Sequence, residues 1–193
     1  MVVKIELEVR MAVKIVRVLN TNAVVSSDQE GRELIITGAG IGFKKKKGEN
    51  LDEALADKTY YLESVDDSRR LQEVVKEISE EYLEIVSRIV KTAREEGLKV
   101  RDSLYVTLTD HINSAVDRYR ENIALKNMMK LEIRKFYPKE YEIGLRAVQW
   151  IQEQNDENLG EDEAAFIAMH IVSAELGSGS NVDVNKITKL INA

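Results

Sequence analysis

The chain has 193 residues, of which 44% are hydrophobic and 32% charged, a composition that excludes a disordered or collagen-like protein. The absence of cysteine excludes a disulfide framework and a thiolate metal site, and no apolar run approaches the roughly 20 residues of a membrane helix, so we expect a cytoplasmic protein without membrane insertion. The net charge of −6 is uneven, because residues 11–48 carry +4 and residues 49–193 carry −10; only the N-terminal part is expected to meet a polyanion.

The N-terminal third has the pattern of short strands. Residues 1–10 alternate apolar and charged side chains and precede a second methionine at position 11, so we interpret them as an upstream extension. After them, short β-branched runs separated by polar turns predict antiparallel strands. The candidate strands lie near residues 13–18, 24–25, 34–36 and 59–62.

The remainder of the chain has a helical pattern. After Asp66 the apolar residues follow three- and four-residue steps without interruption until Gly97. Further helices are predicted at residues 101–120, 124–136, 139–154 and 161–176, and Pro138 is expected to break one helix and open the next. Gly177–Ser180 is typical of a flexible linker, so the chain is expected to be part of a longer protein.

One segment, Gly38–Gly48, combines glycines, an aromatic residue and four consecutive lysines. It does not fit a dinucleotide-binding fingerprint, because Phe43 stands where the third glycine is needed, and it lacks the G-K-[ST] of a Walker loop. Close backbone approach, base stacking and phosphate contacts would suit looped RNA, whereas a hairpin turn with a solvated basic tail is the structural alternative. Asn20 and Asn22 flank a nearby turn, where their amides either satisfy the local backbone or reach base edges.

The two histidines, His111 and His170, both fall in predicted amphipathic helices, near the border of an apolar stripe. A metal site is not supported, since no pair of histidines is spaced by four residues, and no G-x-S-x-G motif supports a catalytic triad. No catalytic residue and no cofactor is therefore predicted. Each histidine is either a buried core residue or a neutral imidazole that accepts a phosphoryl group.

Four segments together resemble a known family, the BglG/SacY/LicT-type bacterial transcriptional antiterminators. Lys14–Val25 and Gly38–Lys45 are similar to the co-antiterminator RNA-binding domain. Asp102–Asn113 and Glu161–Ile171 look like the two histidine motifs of a phosphotransferase-system (PTS) regulation domain. The order and the spacing of the four segments both fit.

The resemblance implies a multi-domain fold with α and β parts. Residues 11–66 would form a small antiparallel β-sheet that binds RNA as a homodimer, and residues 67–181 an all-α, five-helix PTS regulation domain. Residues 182–193 would be a linker or the start of a missing second regulation domain. The implied function is sugar-responsive antitermination, in which the dimer binds an RNA hairpin and prevents a terminator from forming.

The resemblance also implies a set of site residues. The RNA contacts would be Asn20, Asn22, Gly38, Phe43, Lys44 and Lys45. The phosphorylation sites would be His111 and His170, with the sugar-specific enzyme II or the phosphocarrier protein HPr as donor. Ala39 departs from the family, whose members usually carry Arg or Lys there. The alternatives to this non-enzymatic regulator are a helical partner-binding module without RNA binding and a nucleotide-dependent transferase that uses the glycine-lysine segment.

Overall fold

The computed structural model describes residues 14–28, 30–51, 53–61, 64–78 and 80–176; the predictions for residues 1–10 and 177–193 lie outside the described residues. Four strands come first: β1 (Ile15–Asn20), β2 (Ala23–Ser27), β3 (Glu33–Thr37) and β4 (Lys58–Tyr60). Six helices follow: α1 (Val65–Glu77), α2 (Glu80–Glu95), α3 (Ser103–Arg120), α4 (Lys130–Phe136), α5 (Pro138–Asn155) and α6 (Gly160–Leu176). The predicted fold class, a small antiparallel sheet followed by helices, is confirmed.

The four strands form one antiparallel sheet in the order β1-β2-β3-β4. Val24 pairs with Ile36 and Val25 with Ile35, so the neighbouring side chains of each strand point to opposite faces. One face carries an apolar core that consists of Ile15, Val24, Leu34, Ile36, Ile41 and Leu51. All of these residues are nearly inaccessible to solvent, which explains the β-branched runs of the sequence.

Helix α1 contacts β1 and β2 and covers residues of the other face. The side chain of Gln72 connects the helix to the sheet, because its Oε1 accepts a hydrogen bond from Arg17 at 2.6 Å and its Nε2 donates one to Glu33 at 2.7 Å. Gln72 is fully buried, as are Val25 and Ile35 on the same face of the sheet. The sheet is therefore buried on both faces, and the helix belongs to the same compact unit as the strands, which extends to Leu83.

We predict that Gln72→Ala lowers the free energy of unfolding of this unit by about 1–3 kcal/mol, because it removes a fully buried side chain and its hydrogen bonds to Arg17 and Glu33. Urea denaturation would measure the change. Glu73→Ala is the matched control, since Glu73 lies on the same helix but is exposed and pairs only with Lys76 among the described residues. Equal effects of the two substitutions would contradict the assigned role of Gln72.

Two helix boundaries differ from the prediction. The apolar repeat between Asp66 and Gly97 belongs to two helices, because Ile78 adopts an extended conformation, with ψ 147°, and separates α1 from α2. The side chain of Ile78 is buried and stays in phase with the repeat, so the apolar pattern does not reveal the break. Gly97 ends α2 as predicted, with a φ of +85°.

Helix α4 begins at Lys130 and not at Ala124, so the earlier start was wrong. The preceding loop is held by side-chain hydrogen bonds: the Asn127 amide N–H donates to Asp162, and Asn127 Oδ1 accepts from the Met129 N–H. These bonds compete with helical ones. Pro138 occupies the first turn of α5, as predicted.

The second compact unit begins at Glu84 and contains most of α2 and all of α3–α6. The resemblance implied five helices after residue 66, whereas the described part of the chain has six, because the first apolar repeat is divided at Ile78. Helix α1 belongs to the sheet unit, so five helices, α2–α6, lie wholly or mostly in the second unit. Helices α5 and α6 pack closely, because a Cβ on Gly144 would overlap the backbone carbonyl of Ala164. No helix within the described residues has the length and hydropathy to cross a membrane.

Candidate functional site

The structure brings the predicted RNA-binding segments together at one end of the sheet, where β1 ends, β2 begins and β3 ends. Three hydrogen bonds join the β1–β2 turn to the glycine loop: Gly38 N–H donates to the Asn22 carbonyl at 3.0 Å, Gly40 N–H to Asn22 Oδ1 at 2.9 Å, and Gly42 N–H to the Thr21 carbonyl at 2.9 Å. We call the surface formed by residues 20–22 and 38–45 the turn–loop surface. Its two segments are separated by 15 residues in the sequence and are fixed to each other by these hydrogen bonds.

The two asparagines of the turn–loop surface have different surroundings. Both polar atoms of the Asn20 side chain are engaged, since Nδ2 donates to the Val75 carbonyl of α1 at 2.7 Å and Oδ1 accepts from the Asn22 N–H at 2.8 Å. Asn22 uses its Oδ1 for Gly40, but its Nδ2 makes no hydrogen bond to any part of the chain that the structure describes. Asn22 therefore has a donor available for a ligand, whereas Asn20 serves the fold.

The glycines of the loop serve close approaches within the protein. A Cβ on Gly38 would overlap the backbone carbonyl oxygen of Leu55, and a Cβ on Gly42 would overlap that of Asn20. Gly40 has open space around it but a φ of +73°, which favours glycine. The glycine spacing thus shapes the loop and does not itself show a backbone approach to a ligand.

Phe43 and the lysines after it are presented to solvent. Phe43 is 58% exposed, so its ring is accessible to a ligand. Lys44 adopts a φ of +55° and places its Nζ 5.1 Å from the centroid of the Phe43 ring. Lys45 is half-buried, while Lys46 is exposed. An exposed ring beside ammonium groups can stack a base and hold its phosphates.

The two histidines lie together in the second unit, His111 on α3 and His170 on α6. Their ring centroids are 4.5 Å apart, and the ring planes are tilted by 44°. Nε2 of His111 contacts Oε1 of Glu163, and Oε2 of the same carboxylate lies 3.6 Å from Arg118. We call His111, His170, Glu163 and Arg118 the histidine cluster.

The histidine cluster is largely shielded from solvent. Glu163 is 8% exposed, and neither its Oε1 nor Nε2 of His111 has a hydrogen bond to another group among the described residues. Burial, assisted by the neighbouring His111, lowers the pKa of His170 to about 4, although Glu163 and Asp110 act in the opposite direction. His170 is therefore neutral at physiological pH and carries a free lone pair, as a phosphoryl acceptor requires.

Prediction from the sequence found the histidines but did not assign Glu163 to the site. The spacing of these residues could have indicated it. Glu163 precedes His170 by seven residues, which is two helical turns, and Arg118 follows His111 by seven. Residues seven apart share one face of a helix. Within the described residues, no group of three or more potential ligands is arranged to hold a metal ion.

Comparisons with known proteins match both parts of the chain. The family model described as CAT RNA binding domain matches residues 13–69, and the PRD domain model matches residues 72–174. The beta-glucoside operon antiterminator of Dickeya chrysanthemi is 37% identical over 92% of this chain and 63% of its own length. The transcription antiterminator LicT of Bacillus subtilis is also 37% identical, over 92% of this chain and 64% of its own length.

A solved structure is also similar to this chain. The crystal structure of GlcT CAT-PRDI superposes with a TM-score of 0.69 at 26% sequence identity, covering 86% of this chain and 99% of that one. The present chain spans slightly less than two thirds of the length of the antiterminators of Dickeya chrysanthemi and Bacillus subtilis.

Proposed function

Because this chain belongs to the PRD family and carries a CAT RNA-binding domain ahead of its PRD domain, we propose that it acts in sugar-responsive transcription antitermination. In this function, a homodimer binds an RNA hairpin and so prevents formation of a terminator. The chain is then a cytoplasmic regulator and not an enzyme. The names of its relatives, which include a beta-glucoside operon antiterminator, support this proposal.

The turn–loop surface is the proposed RNA-binding site. The observation that carries this assignment is the exposed Phe43 ring beside Lys44, on a loop that is hydrogen-bonded to the Asn20–Asn22 turn. Phe43 stacks a base, Lys44 and Lys45 contact phosphates, and Nδ2 of Asn22 reaches a base edge. Asn20 and Gly38, also expected as contacts from the family resemblance, hold the surface in shape.

We predict that Phe43→Ala weakens binding of an RNA hairpin by about 1–3 kcal/mol, roughly 5- to 150-fold in affinity, because a base loses its stacking partner. The hairpin is one that this chain selects from a pool with randomised loops, and fluorescence anisotropy measures its affinity. Sedimentation of the same samples gives the number of chains per hairpin, which is two for a dimer.

Phe136→Ala is the matched control for this experiment. Phe136 is also exposed and also has a lysine Nζ, that of Lys135, 5.1 Å from its ring centroid, but it lies on α4 in the second unit. Its substitution should leave hairpin affinity unchanged. Equal losses in the two variants, or no loss in Phe43→Ala with the fold intact, would remove Phe43 from the RNA site.

The histidine cluster is the proposed point of control. His111 and His170 accept phosphoryl groups from the sugar-specific enzyme II or from HPr, and each phosphoryl group adds about −1.5 to −2 charges. Residues 49–193 already carry −10, so the added charge increases the repulsion between two copies of the chain. Phosphorylation thereby shifts the dimer towards the monomer and weakens hairpin binding, since both copies contribute to the RNA surface.

A further inference from the structure

The two histidines are close enough to behave as one site. Their ring centroids lie 4.5 Å apart, and only 15% of the His111 side chain is exposed. We propose that His111 and His170 form a single phosphoryl-acceptor site, which takes one phosphoryl group on either ring but not on both. This inference rests on the function proposed above, in which these histidines are phosphorylated, and adds the stoichiometry of that modification.

The transfer itself needs a neutral accepting ring. The lone pair of the accepting nitrogen forms the new N–P bond while the bond between phosphorus and the donor atom breaks, and the electron pair of that bond remains on the donor atom. The accepting ring keeps the proton on its other nitrogen and becomes positively charged. At His111 the carboxylate of Glu163 lies against Nε2, so it stabilises the proton there and leaves Nδ1 to accept the phosphoryl group.

A second phosphoryl group would meet strong repulsion. The first one places about −1.5 to −2 charges beside the neighbouring ring, next to the carboxylate of Glu163. Arg118 is the cation of the cluster, and it already faces Oε2 of Glu163 at 3.6 Å. Coulomb repulsion between groups on adjacent rings disfavours the second transfer by about tenfold even with the screening of bulk water, and by far more in a half-buried site.

The first phosphoryl group also hinders the second imidazole from attacking a donor, because it occupies space beside that ring and repels the incoming negative charge. The ring of Phe166 lies 6.1 Å from that of His111, so the cluster is bounded by an apolar side chain as well as by the two helices. One guanidinium, that of Arg118, lies beside the carboxylate of the cluster and is the cation that a phosphoryl group would meet. Two groups would compete for the one guanidinium.

The test counts phosphoryl groups per chain. The full chain is incubated to saturation with phosphoramidate, a small donor that releases ammonia and needs no protein partner, and intact mass spectrometry at neutral pH counts the adducts. We expect one phosphoryl group on the wild type, one on His111→Ala and one on His170→Ala, and none on the double variant. The glutamine variants, His111→Gln and His170→Gln, repeat the count if an alanine variant does not fold, as judged by circular dichroism.

The other outcomes separate the inference from the proposed function. Two phosphoryl groups on the wild type would overturn the shared site and leave histidine phosphorylation intact. A single variant that accepts none would also overturn the shared site, because only one histidine would then be an acceptor. No adduct on any protein would overturn both the shared site and the proposed phosphorylation.

Discussion

Replacing Gly38 by alanine is expected to lower the free energy of unfolding of the sheet unit by about 3 kcal/mol or more. The new Cβ would overlap the backbone carbonyl oxygen of Leu55, and it would also lie within contact distance of the Asp57 amide nitrogen. Backbone atoms cannot move aside as the end of a flexible side chain can. The loop would have to separate from residues 55–57, whose Asp57 N–H donates to the Thr37 carbonyl at the end of β3.

Hydrogen exchange of the backbone amides in residues 14–61 would measure this loss in the sheet unit separately from the helical unit. Gly40→Ala is the matched control, since no atom lies within 4 Å of its added Cβ and only its φ of +73° is unfavourable. We expect Gly40→Ala to cost about 1–2 kcal/mol. If both alanines had the same effect, the close approach of Gly38 to Leu55 would be refuted.

The Gly38 substitution also separates two causes of lost RNA binding. Gly38→Ala should abolish hairpin binding because the turn–loop surface no longer forms, whereas Phe43→Ala should weaken binding in a folded protein. Gly38 is then required for the proposed RNA site through its packing against Leu55 and not through a contact with RNA. Hairpin affinity alone cannot assign a contact, so each variant needs a stability measurement beside it.

Local patterns in the sequence were sufficient for the order and the type of the elements. The β-branched runs gave the strands, the apolar repeat gave the helices, and Gly97 and Pro138 marked helix ends because their backbone requirements are local. The break at Ile78 was missed, since its buried side chain continues the apolar repeat across the interruption. The late start of α4 was missed because side-chain bonds of Asn127 hold the loop.

The arrangement of the candidate sites depends on tertiary contacts that no local pattern contains. His111 and His170 are 59 residues apart in the sequence, and periodicity places each on a helix face without telling which faces meet. Similarly, residue type left open whether the Asn20 amide satisfies the backbone or reaches RNA. In the structure that amide donates to the Val75 carbonyl, in a helix that begins 45 residues after Asn20. The role of a polar side chain is therefore decided by the group that it meets in the folded chain, which its own sequence neighbours do not show.

Acidification is expected to destabilise the helical unit through His170, by up to about 3 kcal/mol between pH 7 and pH 4. Burial lowers the pKa of His170 from the ordinary 6.5 to about 4 in the folded protein, with His111 as the second cause. Between these two values, the unfolded chain binds the proton more readily than the folded chain. The contribution of the neutral imidazole to the free energy of unfolding is therefore fully present above pH 6.5 and is lost as the pH falls towards 4.

Urea denaturation of the wild type and of His170→Gln, at pH 7 and at pH 4.5, would isolate this contribution. Glutamine does not titrate, whereas the carboxylates titrate in both proteins, so the difference between their acid responses belongs to His170. We expect the variant to lose less stability than the wild type on acidification. Equal losses would mean that His170 is not held neutral by burial.

The neutral ring of His170 that makes the fold sensitive to acid also has the lone pair that phosphoryl transfer needs at physiological pH. Measuring stability against pH therefore also tests the chemistry proposed for the histidine cluster.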